Sequence, residues 1–355
     1  MTHQGELERI HGAQLLPSHH QALQAMRRCR SQGDLMMLQC GDCQHRLKVP
    51  HSCGHRSCPH CQHHDSQRWI ERQQAKLLPV EYFLITFTVP AELRGLIWSR
   101  QRQMNDLLLK TAWKTVASFA RRDPRLRGVT GAHAVLHTHS RRLEFHPHVH
   151  LIVPAGAVHR NRPKKASRAG SQRTWQWKKR GHLFPAANLA KVFRAKWLQA
   201  AGNAGLRVNA AIAKDWLVDC KSVGSGLKAL VYLGRYLYRG VLPEKDILSD
   251  RDGLVTFRIR DNTGAVLIQS VAGAEFLWML LRHVRPTRFR RARDYGLLHG
   301  NSQKLLQAVQ LLLHVMLPEP RPAQPRPPIY CSLCGGVMEI VAVRVRVRES
   351  SPAPG

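Results

Sequence analysis

Three histidines, His146, His148 and His150, take every second position in RRLEFHPHVHLIVPAG, residues 141–156. Alternate side chains of an extended strand share a face. The pattern therefore predicts imidazoles along one face of an otherwise apolar strand. His148-Val149-His150 puts two imidazoles about 7 Å apart, a spacing suited to two ligands of one divalent ion, with Val149 turned into the core. By hairpin parity His133, His137 and His139 share the histidine face. Glu144 is the only acid between 133 and 154. A metallohydrolase working through activated water would need more carboxylate ligands.

SGLKALVYLGRYLYRG, residues 225–240, carries a second kind of chemistry. Tyr232 and Tyr236 are one helical turn apart on one face, with Lys228 a turn earlier and Arg235 and Arg239 flanking. Spacing alone equally describes an amphipathic helix packing its tyrosines. Beside a phosphate-binding metal site the stripe reads differently. A phenol with a pKa of ~10 is a poor nucleophile in water. A divalent ion that polarises a phosphodiester, with Lys and Arg favouring the phenolate, makes tyrosine attack feasible. The covalent phosphotyrosine conserves the bond energy for rejoining, and two tyrosines allow two successive strand transfers.

CGDCQHRLKVPHSCGHRSCPHC holds Cys40, Cys43, Cys53, Cys58 and Cys61. Two C-x2-C turns separated by 14 residues predict a tetrahedral thiolate zinc site made by the outer pairs. Cys53 is a fifth candidate and His45, His51, His55 and His60 lie nearby, so the ligand set and the number of ions stay open. The terminal CSLCGG offers Cys331 and Cys334. It reads either as half a zinc site with no second knuckle nearby in sequence or as a tight turn of small residues. Cys29 and Cys220 read as packing residues.

The elements that must position these groups follow from pattern. EYFLITFTV (81–89), HAVLHTH (133–139), LEFHPHVHLIV (143–153), LVTFRIRD (254–261) and AVLIQSVA (265–272) read as strands. Helical periodicity covers about 101–120, 187–201, 226–239, 274–284 and 302–315. Hairpins with interspersed helices predict an α+β fold. The chain divides into residues 1–78, a helical start and zinc-binding module; 79–316, the catalytic domain; and 317–355, a Pro-rich linker with the C-x-x-C segment. The opening residues lack an apolar signal core, and the apolar run near 305–317 is too short and polar to span a bilayer. Cytoplasmic residence and metal-bound rather than disulfide-bonded cysteines are the expectation.

With 55 Lys and Arg against 23 Asp and Glu, the 355 residues carry a net charge of +32. Such an excess predicts a nucleic-acid partner. Residues 160–180 hold nine Lys and Arg, no acid, and Trp175 and Trp177. Charge with exposed aromatics suits single-stranded DNA; a basic loop is the plainer reading. RHVRPTRFRRARDYG adds six arginines between 282 and 293.

Taken together, SCGHRSCPHCQ, YFLITFTVPAELR, LHTHSRRLEFHPHVHLIVPAG, YLGRYLYRG, FLWMLLRHVRPTRFRRARDYGLLHGN and CSLCGG resemble, in order and over nearly the whole chain, rolling-circle transposases of the HUH class from the insertion-sequence-91 family. The resemblance implies a central antiparallel sheet bearing His148 and His150 as metal ligands, with a helix across it bearing Tyr232 and Tyr236 as catalytic residues. It implies Mg²⁺ or Mn²⁺ at that site, Zn²⁺ on Cys40, Cys43, Cys53, Cys58 and Cys61, and nicking that leaves a 5′-phosphotyrosine and a free 3′-hydroxyl. The expected partners are single-stranded DNA at element ends and target DNA, held in part by Lys228, Arg235, Trp175 and Trp177, in a bacterial, nucleoid-associated setting. Ser57 stands where many family members carry histidine, which leaves a histidine zinc ligand open. His137 and His146 are the candidates for a third catalytic ligand. A two-residue turn at Ser140–Arg141 would oppose His137 to Glu144, ~13 Å from His148, and so disfavours His137 unless the turn is wider or bulged. A replication initiator or relaxase sharing HUH chemistry is the nearest alternative. A non-catalytic zinc-dependent regulator is another, but it leaves the histidine strand and paired tyrosines unexplained.

Overall fold

In the computed structural model the described residues are 3–29, 35–51, 53, 55, 57–59, 64–160, 173–178, 181–206, 208, 216–238, 240–261, 263–316 and 328–344. The centre is a five-stranded antiparallel sheet. Its order is Ala292–Gly296, Gly131–His139, Phe145–Pro154, Tyr82–Thr88 and Val218–Ser222. The histidine strand is therefore the middle strand, paired on both sides. Period-2 alternation divides its residues between two helical layers.

On one face Val149, Leu151 and Val153 join Phe83, Ile85, Phe87 and Leu136. Two long helices cover this face. Gln101–Arg122 contributes Met104 and Leu108; Ala186–Asn203 contributes Phe193 and Trp197, all fully buried. The helices arise where apolar residues recur at three- and four-residue intervals and meet an apolar sheet. On the other face Tyr82, Leu84, Val135 and Ile152 pack against Ala229, Leu230, Leu233 and Leu237 of the helix Leu227–Tyr238, and against Trp69 and Ile70 of the helix His64–Gln74. A Cβ at Gly234 would stand 2.4 Å from Ile70 Cγ1. Glycine in YLGRY is thus what lets the two helices approach, despite its poor helix propensity.

A three-stranded sheet, Ile247–Arg251, Leu254–Arg260 and Val266–Ala272, forms a second core with the helix Gly273–Leu281. The strand and helix segments predicted from pattern match these elements to within a few residues. Edge strands Ala292–Gly296 and Val218–Ser222 escaped pattern reading because they are short and only partly buried.

At the chain ends, Leu35–Cys40 pairs with Arg46–Pro50 on one side and with Val337–Arg344 on the other, and Ile329–Tyr330 extends the sheet. The parts read separately as residues 1–78 and 317–355 thus share a sheet.

Candidate catalytic site

The sheet register decides which histidines meet. His137 lies opposite His148 and Val135 opposite His150, with an irregularity between His137 and His139. The turn is the wider, irregular case rather than the two-residue one. The chain instead closes through Ser140 N–H to Glu144 O at 3.0 Å and Leu143 N–H to Ser140 O at 3.1 Å, with Leu143 at φ +61°. Leu143 is buried among Leu242, Phe257 and Leu280 of the second core. His283 Nε2 also contacts its carbonyl oxygen at 3.0 Å. That burial holds the wider turn, reverses the disfavour of His137 and brings it to the site.

Ligand atoms of His137, His148 and His150 lie within 4.8 Å of one another. His148 Nδ1 bonds the His146 carbonyl oxygen at 2.7 Å. His150 Nδ1 bonds Thr86 Oγ1 at 2.9 Å. Each contact fixes a ring through Nδ1 and leaves Nε2 as the other ring nitrogen, the arrangement that commonly supports metal-bound histidine. His137 Nε2 is buried with no hydrogen-bond partner, a costly arrangement unless an ion takes its lone pair. Burial lowers the pKa of His148 to about 4 and of His150 to about 3, and that of His137 well below its ordinary value, with the neighbouring imidazoles adding to it. The rings are accordingly neutral and able to act as ligands. His146 is the member that falls away. Arg94 donates to its Nδ1 at 2.8 Å, and it lies outside the three-histidine group.

The tyrosine helix runs directly over this cluster, and its two tyrosines are unequal. Tyr232 is 58% exposed, with its ring 6.3 Å from that of His137. Tyr236 stacks on His137 at 3.3 Å and accepts the Thr138 N–H at 3.2 Å. Burial raises its pKa, against the opposing pull of Arg291 and that N–H. Arg291 sits over its ring at 6.0 Å and bonds the Leu237 carbonyl. Lys228 and Arg235 are exposed, as Tyr232 is. The two tyrosines keep the shared side of the helix expected from their spacing, both near His137, with Tyr236 the more deeply placed.

Arginines that sequence reading left as a loose cluster converge here. Arg288, Arg290, Arg291 and Arg293 line a cleft of about 1460 Å³ with Arg72 and Arg102, reaching Leu237 at the end of the tyrosine helix. Arg285 and Arg291 also line a smaller cleft that reaches His55 and Ser57 of the cysteine-rich segment. Of the two tryptophans, Trp177 is 57% exposed, whereas Trp175 is buried among Leu297, Leu298 and Val309. Gly156 packs against the Trp175 ring so closely that a Cβ there would lie 2.1 Å from it. Trp175 therefore has no free face for a base, which corrects the expectation for it. Residues 161–172 of the basic stretch lie outside the described residues.

The cysteines also regroup. Cys40 and Cys43 do not meet Cys58; their sulfurs gather with those of Cys331 and Cys334, all within 4.8 Å. Cys29, Cys53 and Cys58 form a second group, so Cys29 is not merely a packing residue. Cys61 lies outside the described residues. Both groups are composed of thiols, the donors that suit zinc. Cys220 belongs to neither group.

No helix among the described residues is long and apolar enough to cross a membrane. No solved structure matches the chain. A family profile described as "Putative transposase" (Y2_Tnp) matches residues 131–305, which hold the histidine hairpin, the tyrosine helix and the arginine cluster. A transposase zinc-binding domain profile of the IS91 type matches residues 2–89. "Putative transposase y4qJ" of Sinorhizobium fredii is 32% identical over 301 residues, covering 77% of this chain and 73% of that protein. The transposase for insertion sequence element IS801 of Pseudomonas savastanoi pv. phaseolicola is 28% identical over 324 residues, covering 85% and 78%. The paired histidines, the two-tyrosine helix and the cysteine knuckles thus sit in a chain that belongs to the insertion-sequence-91 family of transposases.

Proposed function

We propose that this transposase nicks and rejoins single-stranded DNA at element ends through a 5′-phosphotyrosine, the chemistry of rolling-circle transposition on an HUH-type sheet. One observation carries the reading: the two-tyrosine helix lies beside three clustered imidazoles, one of which has an unpartnered buried nitrogen. His137, His148 and His150 would hold the ion. When bound, a divalent ion polarises the scissile phosphate and neutralises its developing charge. Imidazole is a softer donor than carboxylate, so this set favours Mn²⁺ over Mg²⁺.

The chain's own groups supply the rest. Tyr232, exposed beside Lys228 and Arg235, is the first nucleophile. Its phenolic oxygen bonds to phosphorus, the bond from phosphorus to the 3′ oxygen breaks, and that oxygen leaves as a hydroxyl carrying a proton. In the reverse sense a 3′-hydroxyl attacks the phosphotyrosine and returns the phenol. Tyr236 is held ready by Thr138 N–H, Arg291 and Arg285 for the second transfer. The arginine-lined cleft guides the phosphate backbone toward the helix, with Trp177 available for stacking. The zinc-binding N-terminal module reads the element end, and the work is done in the bacterial cytoplasm where the DNA lies.

The test is one denaturing gel. Protein, labelled single-stranded element end and Mn²⁺ or Mg²⁺ should yield a covalent protein–DNA adduct. Tyr232→Phe together with Tyr236→Phe should abolish it. An adduct that persists in the double variant overturns the assignment.

A further inference from the structure

We propose that Cys40, Cys43, Cys331 and Cys334 hold one zinc ion, and that this ion ties the end of the chain to its beginning as the two halves of a zinc ribbon. The matching zinc-binding profile ends at residue 89, so it assigns no role to the last pair.

The two C-x-x-C turns are built alike. The Cys40 N–H donates to His45 O at 2.9 Å; the Cys331 N–H donates to Gly336 O at 2.8 Å. The Gln44 N–H donates to Cys40 O at 3.2 Å; the Gly335 N–H donates to Cys331 O at 2.9 Å. The residue after the second cysteine is left-handed in both, Gln44 at φ +59° and Gly335 at φ +75°. In each turn the first cysteine is buried and the second exposed. Two equivalent knuckles, 291 positions apart from Cys40 to Cys331, face each other.

The sulfur spacing is that of a tetrahedron. Cys40 to Cys334 and Cys43 to Cys334 are 3.4 Å, and Cys43 to Cys331 is 3.6 Å. Four thiolates at ~2.3 Å from one zinc have edges of about 3.8 Å. A disulfide joins sulfurs in pairs at ~2.05 Å; here Cys334 is close to two different sulfurs at once. The Leu333 N–H points at Cys331 Sγ at 3.4 Å, a donor that favours thiolate over thiol. A Cβ on Gly336 would stand 3.1 Å from Cys40 Sγ and push the exposed Asp42 carboxylate aside, so the two knuckles approach closely here.

The strands agree with this closure. The pairs Cys40–Met338 and Gln39–Glu339 begin a ladder that runs to Leu35–Arg344. Among the described residues, Cys40, Cys331, Leu38 and Met338, with Val49 packed against them, form the buried apolar group of this sheet, a very small core. Such a sheet needs a staple to stay folded. The ion supplies it and makes a closed loop of the whole catalytic domain.

Two measurements on the full chain test this. First, zinc per chain is measured by elemental analysis, and Co²⁺-loaded protein is examined for its thiolate charge-transfer and tetrahedral d–d bands. Cys331→Ser with Cys334→Ser should lose one metal per chain and the matching share of cobalt absorbance, while Cys220→Ser loses neither. Unchanged metal content in the double variant overturns the proposal. Second, a specific protease site is placed within residues 318–328, all cysteines kept. After cleavage, the tail should co-elute with the body while zinc is bound and separate once EDTA strips it. A tail that stays with metal-free protein, or leaves zinc-loaded protein, overturns the proposal without depending on a variant that misfolds.

Discussion

The histidine centre and the cysteine centre are both groups of metal-capable side chains, yet they are built on opposite principles. The histidines come from one hairpin, His137 facing His148 two residues from His150. They rest on a sheet buried on both faces, and three ligands leave coordination positions open. The thiols come from the two ends of the chain, sit on a sheet with almost no core of its own, and four ligands close the sphere. Open sites on rigid scaffolds do chemistry; closed sites supply folding energy. The difference teaches that the first ion would act on DNA and the second on the chain.

The largest expected effect tests the open side of that contrast. His137→Ala or His148→Ala should lower metal-dependent nicking by more than about 100-fold, measured by adduct yield, while DNA affinity in a filter assay stays within a few-fold because charge supplies most of it. Equal loss of binding and nicking would make these histidines structural. Separating the tyrosines comes next. Tyr232→Phe should remove the first adduct, whereas Tyr236→Phe should spare it and block joining; the reverse pattern would exchange their roles.

Gly234→Val sharpens the comparison by disturbing placement without touching a ligand. The added carbons collide with Ile70 and should cost about 1–3 kcal/mol in thermal unfolding, with nicking falling further than DNA binding. An effect on stability alone concerns Asp294, which joins the edge strand to His133 at 2.7 Å and to Lys76 at 2.5 Å. Burial would raise its pKa, but these partners hold it below the ordinary carboxylate value. Its stabilisation is therefore complete above the unfolded pKa of about 4 and is lost as pH falls through the lowered folded value. Asp294→Asn should cost on the order of 1–3 kcal/mol at pH 7 and lose that difference in acid. A pH-independent deficit would place its role in packing.

Much of this was legible in the chain because the signals are local. The period of two in HPHVH, the period near four in YLGRY, and the stop signals around EYFLITFTV fix strand and helix faces by stereochemistry alone, and the excess of +32 announces a polyanion. The faces that His148, His150, Tyr232 and Tyr236 take on their own elements were readable for that reason. What stayed hidden depends on distant partners. His137 was a candidate beside His146, but the choice between them was out of reach because the hairpin width is set by Leu143 packing into a second core. Trp175 looked exposed until Gly156, Leu297 and Leu298 covered it. The cysteine pairs looked complete within residues 40–61, since spacing along a chain ranks near neighbours first.

The sequence by itself thus determined which side chains have the chemistry and which face of its own element each one takes, because backbone periodicity is an intrinsic property of a few consecutive residues. Only the tertiary structure decided which of them meet: His137 rather than His146, Tyr236 against the sheet and Tyr232 toward solvent, Cys331 and Cys334 with Cys40 and Cys43. Register, turn width and the closing of chain ends are chosen by what the rest of the fold buries, and no local pattern carries that choice.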